Sequence, residues 1–385
     1  MKVLVIGAGI AGTAAAFQAR LRGAEVRVVH DRAGASELTS GAVDSAPWTR
    51  RGRATLTPAA EHFLAELGLW TMARDMRIAT GAGVVRPAQA ADHAILNLTP
   101  LGGLTVAVAN VERDDWDARL LVRSLSESGW ARTTGTRFTS VDVPLLRYGY
   151  ERRIALHDFA ALHDGAERRR WACERLLDAA QPDAWLLGPW LGIDPATALT
   201  LSSELGVPVG ETTSPPGGPA GARFVRARNT LFEKHAVPVR NGSVQRVLRR
   251  GRRWEVLLDG GDLLHADAVV VAVGGVAAGG IVLEPTAQQT SHASFRLSLT
   301  APVDMFIKQK RLENVASAHG FDFAAHGVGV LEHVGARPKP DEEGLYLAGD
   351  VMAGRPNTVL AAVEMGVAAA DEICCHGGVA GDARV

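Results

Sequence analysis

The feature that most constrains this chain is a glycine-rich turn that follows an apolar strand near its start. Residues Val3 to Ile6 form a continuous apolar run, which is typical of a parallel strand covered on both faces. The turn after it reads Gly7-Ala8-Gly9-Ile10-Ala11-Gly12. The alanine-rich segment Thr13 to Arg22 then predicts a helix, and Glu25 to Val29 predicts a second strand. This order of elements is typical of a parallel α/β unit.

Each glycine of the turn has a physical role. The first permits a tight turn, the second lets phosphate oxygens approach the backbone, and the third allows close packing of helix on strand. The helix N-terminus then offers free amides and a positive dipole end to an anion. The motif alone is also compatible with a tight turn in another α/β protein, but its position between two strands favours a dinucleotide pyrophosphate.

The adenosine end of this site departs from the usual pattern. A carboxylate commonly ends the second strand and holds the ribose hydroxyls. Here strand parity places His30 at that position, and Asp31 and Arg32 follow. Three arrangements remain open: His30 donates to the ribose, Asp31 is turned inward by the loop, or the pocket takes a phosphate and prefers NADP.

Two later segments are similar to those of the glutathione-reductase and amino-acid-oxidase flavoproteins. The strand within Asp267 to Gly275 ends in Val273 and Gly274, and the resemblance implies that the dinucleotide passes close to it. The preceding stretch Val237 to Val247 would give main-chain contacts to adenine near Val244.

The last segment runs from Gly344 to Asp371 and contains Gly349-Asp350 after a short strand. In the flavoproteins that it resembles, this turn binds the ribityl chain and the pyrophosphate. A helix from about Thr358 would aim its N-terminus at the flavin C2 carbonyl, where its dipole stabilises an anionic reduced flavin. Taken together, the three segments predict FAD.

A small-residue stretch from Gly34 to Asp44 narrows the resemblance. It is similar to the B subunit of the anaerobic glycerol-3-phosphate dehydrogenase, which also tends to lack the ribose carboxylate. We expect four of its residues to approach the flavin: Ser36, Thr39, Ser40 and Gly41. Weaker similarity lies in Thr99 to Gly102, Leu187 to Gly192 and Glu211 to Arg223. The segment Gly349 to Val351 departs from that subunit and looks more like generic FAD-dependent dehydrogenases.

The resemblance implies an FAD-dependent dehydrogenase subunit, and it also allows FMN. Electrons would pass from a small hydroxylated substrate through flavin to an iron–sulfur partner and then quinone, beside a second flavoprotein subunit. The three cysteines, Cys173, Cys374 and Cys375, are not spaced to ligate a cluster or zinc, so no metal site is predicted. Two alternatives stay open: a stand-alone amine or hydroxy-acid oxidase or dehydrogenase, and a non-catalytic flavoprotein-like subunit. The sequence predicts no catalytic acid or base.

Charge and hydropathy limit the binding partners and the cellular compartment that we expect for this chain. With 41 basic and 42 acidic residues, the chain offers no electrostatic attraction to nucleic acid or an anionic membrane. Few cysteines and a strand at the N-terminus, in place of a signal peptide, predict a cytoplasmic protein. No apolar segment is long enough to span a bilayer. We therefore expect membrane contact only through a partner, peripheral at the inner membrane.

These patterns predict an α/β fold. A doubly wound, Rossmann-like FAD-binding domain, discontinuous in sequence, would use residues 1–45, 206–284 and 341–385. An inserted α+β substrate or partner domain would use residues 46–205 and 285–340.

Overall fold

The computed structural model describes residues 1–44, 55–194, 196–285, 292–312, 318–319, 331 and 333–376. Their helices are α1 (Ile10–Leu21), α2 (Pro58–Leu67), α3 (Ala118–Ser126), α4 (Gly129–Thr134), α5 (Leu156–Leu162), α6 (Ala166–Ala179), α7 (Ala196–Leu205), α8 (Pro219–Lys234) and α9 (Val359–His376). Their strands are β1 (Lys2–Ile6), β2 (Glu25–His30), β3 (Ala42–Val43), β4 (Trp70–Ala79), β5 (Val85–Asp92), β6 (Thr105–Asn110), β7 (Arg137–Asp142), β8 (Ala184–Leu187), β9 (Val209–Glu211), β10 (Val239–Asn241), β11 (Val244–Arg250), β12 (Arg253–Leu258), β13 (Leu263–Ala266), β14 (Ala268–Val271), β15 (Ile281–Pro285), β16 (His292–Leu297), β17 (Val303–Ile307), β18 (Lys310–Arg311), β19 (Ala318–His319), β20 (Val334–Pro338) and β21 (Leu345–Leu347).

The chain forms two compact units. The first contains residues 1–36, 45–67 and 228–385, and the second contains residues 37–44 and 68–227. This division differs in four places from the boundaries expected from sequence, because residues 37–44 also lie in the second unit and the described part of 46–67 lies in the first. Residues 206–227 lie in the second unit because β9 pairs with β8 there. The described part of 285–340 lies in the first unit because its strands share that unit's core.

The first unit is built on a five-stranded parallel sheet in the order β10-β2-β1-β14-β21. Strand β1 lies between β2 and β14, with Val5 opposite Val28 on one side and Val270 on the other. Val5 and Val28 are fully buried, as expected of apolar strands covered on both faces. Because all five strands are parallel, their carboxyl ends meet at one edge of the sheet.

Helix α1 packs closely against α9 through small residues. A Cβ on Gly366 would lie 2.2 Å from the Ala11 carbonyl oxygen, so the two helices touch backbone to backbone. At the far end of α1, the Asp371 carboxylate accepts hydrogen bonds from Gln18 at 2.7 Å and Arg22 at 2.9 Å. This packing fixes the start of α1 relative to the C-terminal helix.

The remaining strands of the first unit form small sheets around one shared core. The antiparallel sheet β11-β12-β13 buries Trp254 and Val256 on its inner face. Phe295 of β16 and Met305 of β17 join the same cluster, together with Leu345 of the parallel sheet. The first unit therefore has a continuous apolar core of strands from distant parts of the sequence.

The second unit contains another parallel sheet, in the order β7-β6-β8-β9, with helices between its strands. An antiparallel sheet, β3-β5-β4, completes it. This corrects the α+β expectation for residues 105–205, where strands and helices alternate instead of being segregated. The buried side chains of Phe159, Trp185 and Trp190 form much of its core.

Within the described ranges, none of the helices combines the length and the apolar character needed to cross a lipid bilayer.

Candidate functional site

The glycine turn between β1 and α1 has the geometry that its sequence predicts. Gly7 has a φ of +109°, and a Cβ there would lie 2.2 Å from the Ala272 carbonyl oxygen. A Cβ on Gly12 would lie 2.0 Å from the Gly7 carbonyl oxygen. Gly9 differs, because the nearest atom to a Cβ there is the Ser36 Oγ at 3.4 Å. Chain packing therefore requires Gly7 and Gly12, whereas Gly9 borders open space.

The N-terminus of α1 borders this open space. Its N-cap is Gly9, which has no side chain to accept a hydrogen bond from the helix amides, and its first turn carries no acidic residue. The first helical amide, of Ile10, donates to the Ser36 Oγ at 2.9 Å. Gly34 lies against Gly9, where a Cβ would be 3.7 Å from the Gly9 Cα. Small residues thus cover the turn without filling it, and the positive end of the helix faces the remaining space.

Two more glycine turns lie beside the first one. Gly349 follows β21 with a φ of +80°, and a Cβ there would be 2.7 Å from the Ala11 Cβ. Gly275, at the end of the β14 segment, lies against Asp350, whose Cβ would be 3.0 Å from a Gly275 Cβ. The structure therefore brings the three predicted segments together at the carboxyl edge of β1, β14 and β21.

Asp350 is the charged group of this cluster. Burial raises the pKa of its carboxyl to about 6. Within the described part of the chain, no hydrogen bond to this carboxylate offsets that burial. A carboxylate in this position suits a ligand that brings hydroxyl donors.

The other predicted residues of the first unit have local roles. Val244 is buried in the core near Val29, and Gly274 has a φ of +78° one residue after Val273. Thr358 caps α9, because its Oγ1 accepts from the Ala361 N–H at 3.4 Å. Their cofactor contacts remain predictions.

All three arrangements expected for the adenosine end of the site remain predictions. His30 ends β2 and is half-buried, and its carbonyl accepts from the Gly242 N–H at 3.0 Å. Asp31 is exposed and pairs with Arg32 at 3.4 Å. Neither contact identifies a ribose ligand.

Thr39, Ser40 and Gly41 lie in the second unit and shape a tight loop. The Gly41 N–H donates to the Thr39 Oγ1 at 3.2 Å, and Gly41 has a φ of +86°. The Ser40 carbonyl accepts from the Ser214 N–H at 2.9 Å, and the Gly41 carbonyl accepts from the Asp92 N–H at 2.8 Å. Their expected approach to the flavin stays a prediction.

A fully buried ion cluster lies beneath this loop. Arg223 donates to Asp92 at 3.1 Å, to Glu211 at 2.8 Å and to the Gly192 carbonyl at 2.8 Å. Burial raises the pKa of Glu211 to about 7, with Arg223 opposing the shift and Asp92 adding to it. Two carboxylates that share one guanidinium favour a proton on one of them. In the sequence, Glu211 to Arg223 stands out only for its resemblance, and no local pattern connects this segment to Asp92, which is 131 positions from Arg223.

A cavity of about 710 Å³ opens in the second unit at the carboxyl end of β6. Its walls include Asn110 and two arginine–aspartate pairs. Arg113 contacts Asp115 at 2.8 Å, and Arg152 contacts Asp114. The charges lining the cavity are therefore largely paired with one another.

Sequence reasoning also missed Arg228, a buried side chain of α8. Its Nη1 donates to the Ala8 carbonyl at 3.1 Å, inside the glycine turn. An arginine in a helix that also carries Arg223 and Arg226 is a weak sequence signal, and nothing in the local pattern connects it to residues near the N-terminus.

Comparison with known proteins identifies no family. No family profile matches the chain, and no curated protein matches its sequence. Similar solved structures include AlpK (13% identity, TM-score 0.36, 98% of this chain and 62% of AlpK) and the peptidyl tryptophan dihydroxylase QhpG (14%, 0.32, 96% and 66%). Iminodiacetate oxidase from Chelativorans sp. BNC1 is another (15%, 0.32, 97% and 94%). The chain thus spans less than two thirds of AlpK and QhpG. At these TM-scores the similarity assigns neither an activity nor a ligand.

Proposed function

We propose that this chain binds FAD noncovalently and works as a flavoprotein oxidoreductase subunit. One observation carries the proposal: three glycine turns, each after a parallel strand, contact one another at one sheet edge. Gly7 lies against Ala272, Gly349 against Ala11, and Gly275 against Asp350. Ligands of open α/β sheets bind at the carboxyl ends of the strands, and close backbone approach is what a dinucleotide needs.

The residues of this edge fit the parts of FAD. The open side of Gly9 and the N-terminus of α1 suit the pyrophosphate. The Asp350 carboxylate suits the ribityl hydroxyls, and the N-terminus of α9, capped by Thr358, suits the electron-rich end of the flavin ring. Bound flavin would supply hydride acceptance, while the protein positions the substrate and excludes water. On this proposal the first unit is a doubly wound FAD-binding domain.

The substrate and the partners are the finer part of the proposal. We infer a subunit of a glycerol-3-phosphate dehydrogenase-type complex, which passes electrons from a small hydroxylated substrate to an iron–sulfur partner and quinone. The sequence resemblance from Gly34 to Asp44 supports this assignment. The cysteine count also supports it, because Cys-ligated iron–sulfur clusters need four thiolates and the chain has three cysteines.

Release of the cofactor tests the proposal that the chain binds FAD noncovalently. The protein, co-expressed with its genomic neighbours, is denatured, and the mass of the released chromophore is measured. We expect FAD in the supernatant and no flavin on the polypeptide. Release of FMN alone, or no flavin from the folded complex, contradicts FAD binding.

Purification of the natively expressed protein tests the proposed complex. Size-exclusion chromatography with mass spectrometry of the peak should find a second flavoprotein and an iron–sulfur subunit. A single flavin-loaded component that turns over substrate with oxygen at about 10 per second would favour a stand-alone oxidase. A colourless chain that is stable only in a complex would favour a structural subunit.

A further inference from the structure

Arg228 is a buried cation that contacts the glycine turn. Its side chain is 5% exposed, although arginine is rarely buried to this extent. Its Nη1 donates to the Ala8 carbonyl oxygen at 3.1 Å, and its Nε donates to the Asn229 Oδ1 at 3.1 Å. The first contact spans 220 residues of sequence, so the fold brings this guanidinium to the turn.

The contacted peptide is the one that presents the Gly9 amide. In a trans peptide the carbonyl oxygen and the following N–H point in opposite directions. Donors that hold the Ala8 oxygen therefore direct the Gly9 N–H away from themselves. The Thr13 Oγ1, at 3.4 Å from the Ala8 oxygen and 2.9 Å from the Gly9 oxygen, restrains the same turn. The orientation of the Gly9 amide thus depends on side chains from both α1 and α8.

We propose that Arg228 is a positioning residue of the dinucleotide site, which orients the Gly9 amide toward the pyrophosphate by holding the Ala8 carbonyl. This inference rests on the proposed FAD site. Arg228 lies outside the glycine motif. Its effect should be on the affinity for the diphosphate part of the ligand, and not on the affinity for the flavin ring or the adenine.

Three substitutions test the contact between this side chain and the Ala8 carbonyl. Arg228→Lys keeps the charge, Arg228→Gln keeps a donor without charge, and Arg228→Met removes both. Arg252→Met is the matched control, because Arg252 is exposed at a turn of the same unit. Each full-length variant is deflavinated, and its dissociation constants for FAD, ADP and adenosine are measured with the melting temperature of the apoprotein.

We expect Arg228→Met to weaken FAD and ADP binding about 10- to 100-fold, with smaller losses for Arg228→Lys and Arg228→Gln. Adenosine lacks the diphosphate, so its affinity should not change. The control should match the wild type throughout. If Arg228→Met does not fold, the lysine and glutamine variants still decide, because both should weaken ADP and spare adenosine.

Wild-type ADP affinity in the glutamine and lysine variants would overturn the inference. Equal losses for ADP and adenosine would also overturn it, because they indicate a structural role. These outcomes differ from a failure of the proposed function, in which the wild-type chain itself binds no FAD.

Discussion

The Ser36 hydroxyl accepts a hydrogen bond from the Ile10 N–H over 2.9 Å, and it does so directly above Gly9. As an acceptor in this bond, the hydroxyl still has its own proton to donate. We therefore expect a loop outside the glycine motif to contribute a donor to the predicted pyrophosphate site.

Replacing Ser36 by alanine should weaken FAD binding about 3- to 10-fold, because one hydrogen bond to the ligand is lost. Isothermal titration of the deflavinated protein measures the change. Ser128→Ala is the matched control, since the Ser128 Oγ accepts from the Ala131 N–H at 3.1 Å at another helix start. The control should cost about 1 kcal/mol of stability and leave FAD affinity intact. Unchanged FAD affinity in Ser36→Ala would contradict the role of the hydroxyl.

Gly9→Val and Gly12→Val should fail in different ways. Gly9 has a φ of −69°, which any residue adopts, and a Cβ there would meet the Ser36 Oγ at 3.4 Å, an ordinary contact distance, so valine should abolish FAD binding while the apoprotein still folds. Valine at Gly12 would meet the Gly7 carbonyl, and it should destabilise the fold by about 1–3 kcal/mol or more. Flavin content and apoprotein melting temperature separate the two effects. Stoichiometric flavin in Gly9→Val would show that the turn does not bind phosphate.

The affinity for FAD should depend on pH through Asp350. Burial raises the pKa of this carboxyl to about 6 in the free protein. The ionised form accepts hydroxyl hydrogen bonds more strongly, so a ribityl ligand favours it. Affinity should therefore rise from about pH 5 to about pH 7, and Asp350→Asn should remove most of that rise. Asp341→Asn, at an exposed position, should keep the wild-type profile. A rise of unchanged size in Asp350→Asn would mean that another group titrates.

Glu211 should contribute to the stability of the apoprotein, and this contribution should fall as pH rises. Its pKa is raised from 4.5 to about 7 in the folded chain, so the folded state holds a proton that the unfolded state has lost. The stabilisation is complete below about pH 4.5 and is lost as pH rises through about 7, at about 1.4 kcal/mol per unit of pKa. Urea unfolding across this window should show that Glu211→Gln gains stability relative to the wild type as pH rises. Asp350 titrates in an overlapping window with the same sign, and His163, whose pKa burial lowers to about 4, titrates there with the opposite sign, so the test is the difference between the two proteins. An unaltered slope in Glu211→Gln would exclude this residue as the buried proton carrier.

The elements of the first unit could be predicted where the signal was local. Strand β2 begins at Glu25 as expected, and α9 begins one residue after Thr358. The glycines predicted α1, although it starts at Ile10, within the motif. These features depend on apolar runs, turn residues and caps that lie within a few positions of one another.

The rest depends on contacts between distant residues. Strands β8 and β9 have only four and three residues, and runs this short do not reveal a parallel sheet. Arg223 reaches Asp92 across 131 positions, and Arg228 reaches Ala8 across 220. No local pattern predicts which buried cation meets which turn.

The contact between α1 and α9 joins two helices that are synthesised far apart in time. Gln18 and Asp371, which bond across these helices, are 353 positions apart. At about 5–20 residues per second, a ribosome needs roughly 20 to 70 s to make the second after the first. For that interval the small-residue face of α1 has no native partner, and the Gly349-Asp350 turn does not yet exist. The proposed FAD site is therefore complete only after α9 has been synthesised, and the N-terminal segment alone cannot form it.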